Sequence, residues 1–333
     1  MEHYENLVFQ GGSTATIGYV GDLKALEYFD LLKNFKRFAG TSAGAIFAGL
    51  LAVGYIPREL QILAMNLNLA AFKDTSVSYV GPLINFGRKL GFYEGLVLYD
   101  WLGEAFRMKT GDPDITFAEV YEKYGKELII TGTKLSKKHN RELHLYQRST
   151  NPTMPIRAAI RISAGLPGLF KPFIWDNDLL VDGGLAENFP LWVFDSEFDS
   201  RNGLVVRPEP KDLNEKTLGI RINSYGNSKE TKKKNEPNES WTAEEYLTTV
   251  IRSLMQAGFD HYEYNEIYMN QCISADNIYE LDPSKINVDK ETISKLIDYR
   301  FKNAWTWIYE KRHHARMLNL LNTLLCDDDS ETE

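Results

Sequence analysis

The chain has 333 residues, 43% of them hydrophobic, and a formal net charge of -8. That apolar share over that length is enough to bury a large core. The acidic balance excludes a nucleic-acid binder, which needs a basic face against the phosphate backbone.

Cys272 and Cys326 lie far apart and form no disulfide framework, which favours a reducing compartment. No cysteine or histidine spacing suits a metal, so no metal or other cofactor is expected. The stretch MEHYENLVFQGG has no basic segment leading into an apolar run. No apolar stretch reaches the roughly 18 residues of a membrane span. A cytoplasmic location is therefore the expectation.

In chain order, Leu7 to Gln10 reads as a strand running into a turn at Gly11-Gly12-Ser13. Val20, Leu23, Leu26, Phe29 and Leu32 recur at helical spacing and predict a helix over Tyr19–Lys33. Lys36–Ala39 is a second short strand, followed by Gly40-Thr41-Ser42-Ala43-Gly44 and a buried helix within Ala43–Ile56. Strand–turn–helix repeated twice is an α/β pattern and favours a parallel sheet. Pro57 starts a helix to about Leu69, Asp74–Gly95 is loop-like, and Leu96–Met108 is helical. Together they predict a helical insertion near 57–110.

Glu127–Thr133 is a strand, His144–Gln147 belongs to a hairpin strand, and Ile156–Ser163 is a helix ended by Gly165 and Pro167. Leu179–Val181 is a strand ending at Asp182-Gly183-Gly184, and Leu218–Asn223 alternates as another. The polar run 226–240 reads as a flexible surface loop. Trp241–Phe259 and Lys290–Leu325 read as helices, and 326–333 as an acidic tail.

The spacing G-x-S-x-G has a chemical reason. Gly40 and Gly44 let strand and helix approach closely, and the sharp turn pushes the Ser42 hydroxyl out of the sheet. The N–H groups opening the next helix, from Ala43 onward, aim at the same spot and favour an oxyanion. The competing reading is a serine capping its own helix.

A nucleophilic serine needs a base. His144, His261, His313 and His314 all lie in strands or helices rather than in a glycine-rich turn, and read as structural. Asp182 is better placed, at the end of an apolar strand and before Gly183 and Gly184. A carboxylate is a weak base for an alcohol, so it would need burial to raise its pKa. The Gly11-Gly12-Ser13 turn could bind an anion, but no dinucleotide or P-loop fingerprint is present, so nucleotide binding is not expected.

These blocks, in this order, resemble the patatin-like phospholipase family: the N-terminal glycine-rich turn, GTSAG, RISAGLPGLFKPF at Arg161–Phe173, and LLVDGGLAENFP at Leu179–Pro190. YVGDLKALE and GFYEG agree as well. The resemblance covers roughly residues 5–225 as one catalytic domain, with the C-terminal helices of 241–325 packed on it. It implies a three-layer α/β/α sandwich around a mostly parallel sheet. It implies hydrolysis of phospholipid or other acyl-lipid esters by a Ser–Asp dyad without histidine, with peripheral membrane contact. Ser42 matches the nucleophile and Asp182 the base. Gly11, Gly12, Ser13 and Ala43 match the oxyanion loop, and Gly40, Gly44, Gly183 and Gly184 support the two motifs.

One block departs from the family pattern of three glycines, any residue, Arg or Lys, then Gly. Ser13 stands at the third glycine, Ala15 at the basic position and Thr16 at the last glycine. A β-branched Thr16 could not readily supply positive φ there. Loss of one oxyanion donor costs about 3–4 kcal/mol of transition-state stabilisation. The alternative expectation is thus an impaired family member that binds lipid or a partner. Trp305, Trp307, Ile308 and Tyr309 beside Lys311, Arg312 and Arg316 resemble an interfacial helix, although docking onto the core is the favoured reading. Asp22 stands where the family usually has a small apolar residue, and the sequence offers no reason for it.

Overall fold

The computed structural model describes residues 3–74, 90–138, 140–195, 214–223, 270–276 and 288–328, with a few positions between 246 and 253. In the last helix, side chains are described as far as Met317. The expected loop 226–240, His261, most of Trp241–Phe259, the side chains of Leu318, Leu321, Leu324, Leu325 and Cys326, and the end of the acidic tail lie outside the described residues.

The central sheet is built on β1 (Asn6–Phe9), β2 (Arg37–Gly40), β4 (Glu127–Ser136) and β9 (Thr217–Asn223). β10 (Cys272–Asp276) pairs parallel to β9, β9 to β1, β1 to β2, and β2 to β4. Three strands join antiparallel: β5 (Asn140–Gln147) and β8 (Asp178–Asp182) against β4, and β7 (Phe173–Trp175) against β8. β3 (Gly91–Tyr93) and β6 (Gly168–Phe170) form a separate two-stranded sheet.

Alternation along the strands sorts the core. Leu7, Phe9, Phe38, Ile130, Leu180 and Ile220 face a helical layer, while Val8, Ala39, Ile129, Leu145 and Cys272 face the other side. The helical layer contains α1 (Tyr19–Tyr28), α2 (Ala43–Ala52), α6 (Ile156–Ser163) and the long α7 (Lys290–Asp328). Full burial of each large apolar side chain there stabilises the fold by about 1.5–3 kcal/mol. The opposite face is covered, among the described residues, by Phe189, Leu191, Trp192, Val193 and Phe194, the last four in a 3-10 turn. The result is the expected mostly parallel central sheet flanked by helices.

Composition explains α2. Its sequence AGAIFAGLLA is apolar on every side, and it is buried nearly all round. Helices α3 (Pro57–Asn66) and α4 (Leu96–Thr110) occupy the stretch read as an insertion. α5 (Phe117–Tyr124) was not expected, although its start carries a reciprocal cap: Thr116 Oγ1 accepts from the Glu119 N–H, and Glu119 Oε2 accepts from the Thr116 N–H. α7 docks through Ile293, Leu296, Ile297, Ala304 and Ile308, all buried, and Trp305 meets Phe29. Among the described residues no helix is long and apolar enough to cross a membrane.

The topology also brings the two motif ends together. β4 carries β5 along one edge, so β2 and β8 must share the other. β2 runs parallel to β4 and β8 antiparallel, so their C-terminal ends point at each other. Gly40 lies opposite Ile130 and Asp182 opposite Gly132, two residues further along, or roughly 7 Å.

Candidate active site

Ser42 occupies the turn between β2 and α2 with φ 53 and ψ -128, a conformation L-residues rarely adopt. A Cβ on Gly40 would lie 2.5 Å from the Gly44 carbonyl oxygen, and one on Gly44 would lie 2.6 Å from that of Gln10. Only glycine allows the strand and the helix start to close on each other this tightly. The Ser42 N–H donates to Ser163 Oγ at 2.8 Å, which ties the strained turn to the end of α6. Ser42 sits at the N-cap of α2, yet its hydroxyl does not cap the helix. It donates instead to Asp182 Oδ2 at 2.8 Å.

Asp182 is 1% exposed. Its side chain faces the helical layer, because it shares a face with Leu180 two residues before it. The other carboxylate oxygen, Oδ1, accepts from the Gly184 N–H at 2.8 Å. Thr133 Oγ1 donates to the Asp182 carbonyl at 2.8 Å and fixes the strand end from below. Burial pushes the carboxyl up to about 7, against the opposing pull of the Gly184 N–H and the Ser42 hydroxyl. A carboxylate so placed titrates near neutrality and can accept a proton from an alcohol better than an exposed aspartate can.

The glycine-rich turn approaches from β1. A Cβ on Gly11 would lie 3.0 Å from Ser42 Cβ. The Gly11 N–H, expected to serve an oxyanion, instead donates to the Asn188 carbonyl at 3.0 Å, and Asn188 Nδ2 donates back to the Gly11 carbonyl at 3.0 Å. Gly11 is thus a strut between the two loops rather than the oxyanion donor that the resemblance implies. The amides of Gly12, Ser13 and Ala43 meet no acceptor among the described residues. Positive φ falls on Ser13 (φ 52), not on Thr16. Thr16 lies in a 3-10 turn over Ser13–Gly18 and donates its hydroxyl to the Ser13 carbonyl at 2.7 Å.

No described histidine hydrogen-bonds to Ser42 or Asp182. His144 faces the same side as Asp182 but stands across Gly132 on β5, where burial lowers its pKa. Sequence reasoning missed Ser163 and Asn188. Both stand inside blocks quoted above, but only the folded chain reveals that their polar groups face Ser42 and Gly11.

Residues 7–195 match the profile of the patatin-like phospholipase family, which is more than half of the chain. The chain belongs to that family. A relative from Invertebrate iridescent virus 6, described as a probable lipid hydrolase, is 30% identical over 190 residues, which make up 57% of this chain and 63% of the viral protein. An uncharacterised protein of Acanthamoeba polyphaga mimivirus is 30% identical over 60% of this chain and 64% of its own length. The chain therefore spans somewhat under two thirds of the length of these two viral relatives. The YqhO protein of Bacillus subtilis, also uncharacterised, is 29% identical over 69% of this chain and 80% of its own.

Among solved structures, VipD from Legionella pneumophila matches with a TM-score of 0.53 at 15% identity, covering 92% of this chain and 67% of VipD. The type III effector ExoU matches at 0.50 and 17% identity, covering 92% of this chain and 53% of ExoU. These likenesses establish the patatin-like fold.

Proposed function

We propose that this member of a lipid-hydrolase family cleaves carboxylic esters of phospholipids or other acyl lipids through Ser42 and Asp182. The observation that carries the reading is the 2.8 Å hydrogen bond from a strained Ser42 to a buried Asp182 poised at about 7.

The Ser42 oxygen attacks the ester carbonyl while its proton passes to Asp182 Oδ2. Negative charge gathers on the former carbonyl oxygen, where the N–H groups of Gly12, Ser13 and Ala43 are the available donors. Asp182 then gives its proton to the departing alkoxide, leaving an acyl-Ser42. Water attacks the acyl group with Asp182 again as base, releases the fatty acid and regenerates the serine. Each proton has one donor and one acceptor, and no histidine is needed.

Access to lipid requires peripheral contact with a membrane or micelle surface. The impaired alternative rests on the altered glycine-rich block. Two observations weigh against it: the positive φ is already met at Ser13, and amide donors remain on Gly12, Ser13 and Ala43. The test is hydrolysis of short-chain and phospholipid esters by wild type, Ser42→Ala and Asp182→Asn. Turnover confined to wild type supports the proposal. Lipid binding without turnover in wild type supports the impaired reading, and equal turnover in all three removes both residues from the mechanism.

A further inference from the structure

Asp22, unexplained by the sequence, is fully buried on α1 against Arg300 of α7, which is 2% exposed. Arg300 lies beyond the region that matches the family. Its Nε and Nη2 reach Asp22 Oδ2 at 2.8 and 2.6 Å. Burial pushes the Asp22 carboxyl up, and the Arg300 charge with its Nε hydrogen bond pulls it back. A buried ion pair is weak evidence for stability, because well-packed apolar residues often do as well. Its particular gain is orientation, since the planar fork of arginine fixes several partners at once.

The other contacts of Arg300 show what is being oriented. Nη1 donates to the Arg221 carbonyl on β9 at 2.9 Å. The guanidinium lies over the Tyr19 ring, 5.2 Å from its centroid. The Tyr19 hydroxyl donates to the Gln10 carbonyl at 2.9 Å. Gln10 is also held on β9: its N–H donates to the Ile220 carbonyl at 3.1 Å, and its Oε1 accepts from the Ile222 N–H at 2.8 Å. Gly11 and Gly12 follow directly, with the amides of Gly12 and Ser13 that meet no acceptor among the described residues. The 3-10 turn after them leans on the same helix, because a Cβ on Gly18 would lie 2.8 Å from Arg300 Cγ.

We infer that Arg300 is a positioning residue for the glycine-rich loop, acting through Tyr19 and the Gln10 carbonyl, so that the C-terminal helix is part of the apparatus that holds the oxyanion donors. The inference rests on the hydrolase reading for its activity readout, but not for its structural one.

The experiment compares wild type with Tyr19→Phe, Arg300→Met and the double variant Asp22→Leu/Arg300→Met. Tyr19→Phe removes one hydroxyl and keeps the ring. The double variant removes both charges and restores apolar packing. Amide hydrogen exchange is read on peptides covering residues 10–18, and kcat is expressed per Ser42 titrated by a fluorophosphonate. Exchange in 10–18 is expected to rise in all three variants. Turnover per titrated site is expected to fall about tenfold at unchanged KM, the factor equivalent to one lost hydrogen bond, with the Asp182 pH midpoint unmoved. The double variant is expected to recover the melting temperature of wild type without recovering kcat. Wild-type exchange in 10–18, or wild-type kcat per site in Tyr19→Phe and the double variant, would reduce Arg300 to a packing contact. If wild type neither hydrolyses esters nor is labelled, the hydrolase reading fails, and the exchange result alone decides whether α7 holds the loop.

Discussion

Replacing Asp182 by asparagine separates the contribution of this carboxyl to stability from its contribution to chemistry. The side chain is 1% exposed, and burial pushes its pKa from 3.8 to about 7. Between those two values the folded protein keeps a proton that the unfolded chain releases. Stability therefore falls as pH rises through that window. Three pKa units correspond to about 4 kcal/mol, an upper figure for what the charge costs the fold at about pH 8. Asparagine carries no charge there. It keeps an oxygen for the Gly184 N–H and can turn its amide toward Ser42 Oγ, so both hydrogen-bonded positions stay filled.

Asp182→Asn is thus expected to match wild type near pH 4 and to exceed it by up to about 4 kcal/mol near pH 8, while turnover drops by roughly 10²–10⁴. Urea denaturation followed by tryptophan fluorescence at several pH values measures the first, and ester hydrolysis the second. Asp22 is also raised, but it is present in both proteins and cancels. A stability difference independent of pH, or a variant less stable than wild type near pH 8, would refute the reasoning about Asp182.

The backbone of the site yields three further expectations. Ser42→Gly relieves a residue held at φ 53 and should be about 1–3 kcal/mol more stable in denaturant titrations than Ser42→Ala, which loses the same hydroxyl, with turnover abolished in both. Ser13→Gly restores glycine at φ 52 and should stabilise by about 1 kcal/mol with turnover at or above wild type. A loss of turnover there would show that the Ser13 side chain takes part. Ser163→Ala leaves the Ser42 N–H without its acceptor and should cost about 1–3 kcal/mol. It should also slow fluorophosphonate labelling of Ser42, and labelling at the wild-type rate would mean that the turn holds itself.

What could be read without the fold was what local chemistry writes into the chain. The stretch around Ser42 was legible because glycines at two fixed offsets sit between an apolar strand and an apolar helix. The helix Ile156–Ser163 was legible to the residue, with Gly165 and Pro167 ending it. The three-residue strands β3 and β6 are too short to show alternation. Helix α5 is short too, and only its cap from Thr116 to Glu119 announces it.

The supports of the site were illegible for a different reason. Arg300 and Asp22 are 278 residues apart, and Asn188 and Gly11 are 177 apart. No spacing rule links such pairs. The sequence reads Gly11 as part of a turn whose amides could hold an anion. Only the folded chain shows that the Asn188 carbonyl takes its amide, which leaves Gly12, Ser13 and Ala43 as the proposed oxyanion donors.

The central claim is that Asp182 activates Ser42. Fluorophosphonate labelling with the modified peptide located by mass, carried out across pH, tests it directly. Modification is expected at Ser42 alone, at a rate that rises with pH to a plateau with its midpoint near 7, and labelling is expected to be strongly slowed in Asp182→Asn. Modification at another residue, or an Asp182→Asn variant labelled as fast as wild type, would contradict it.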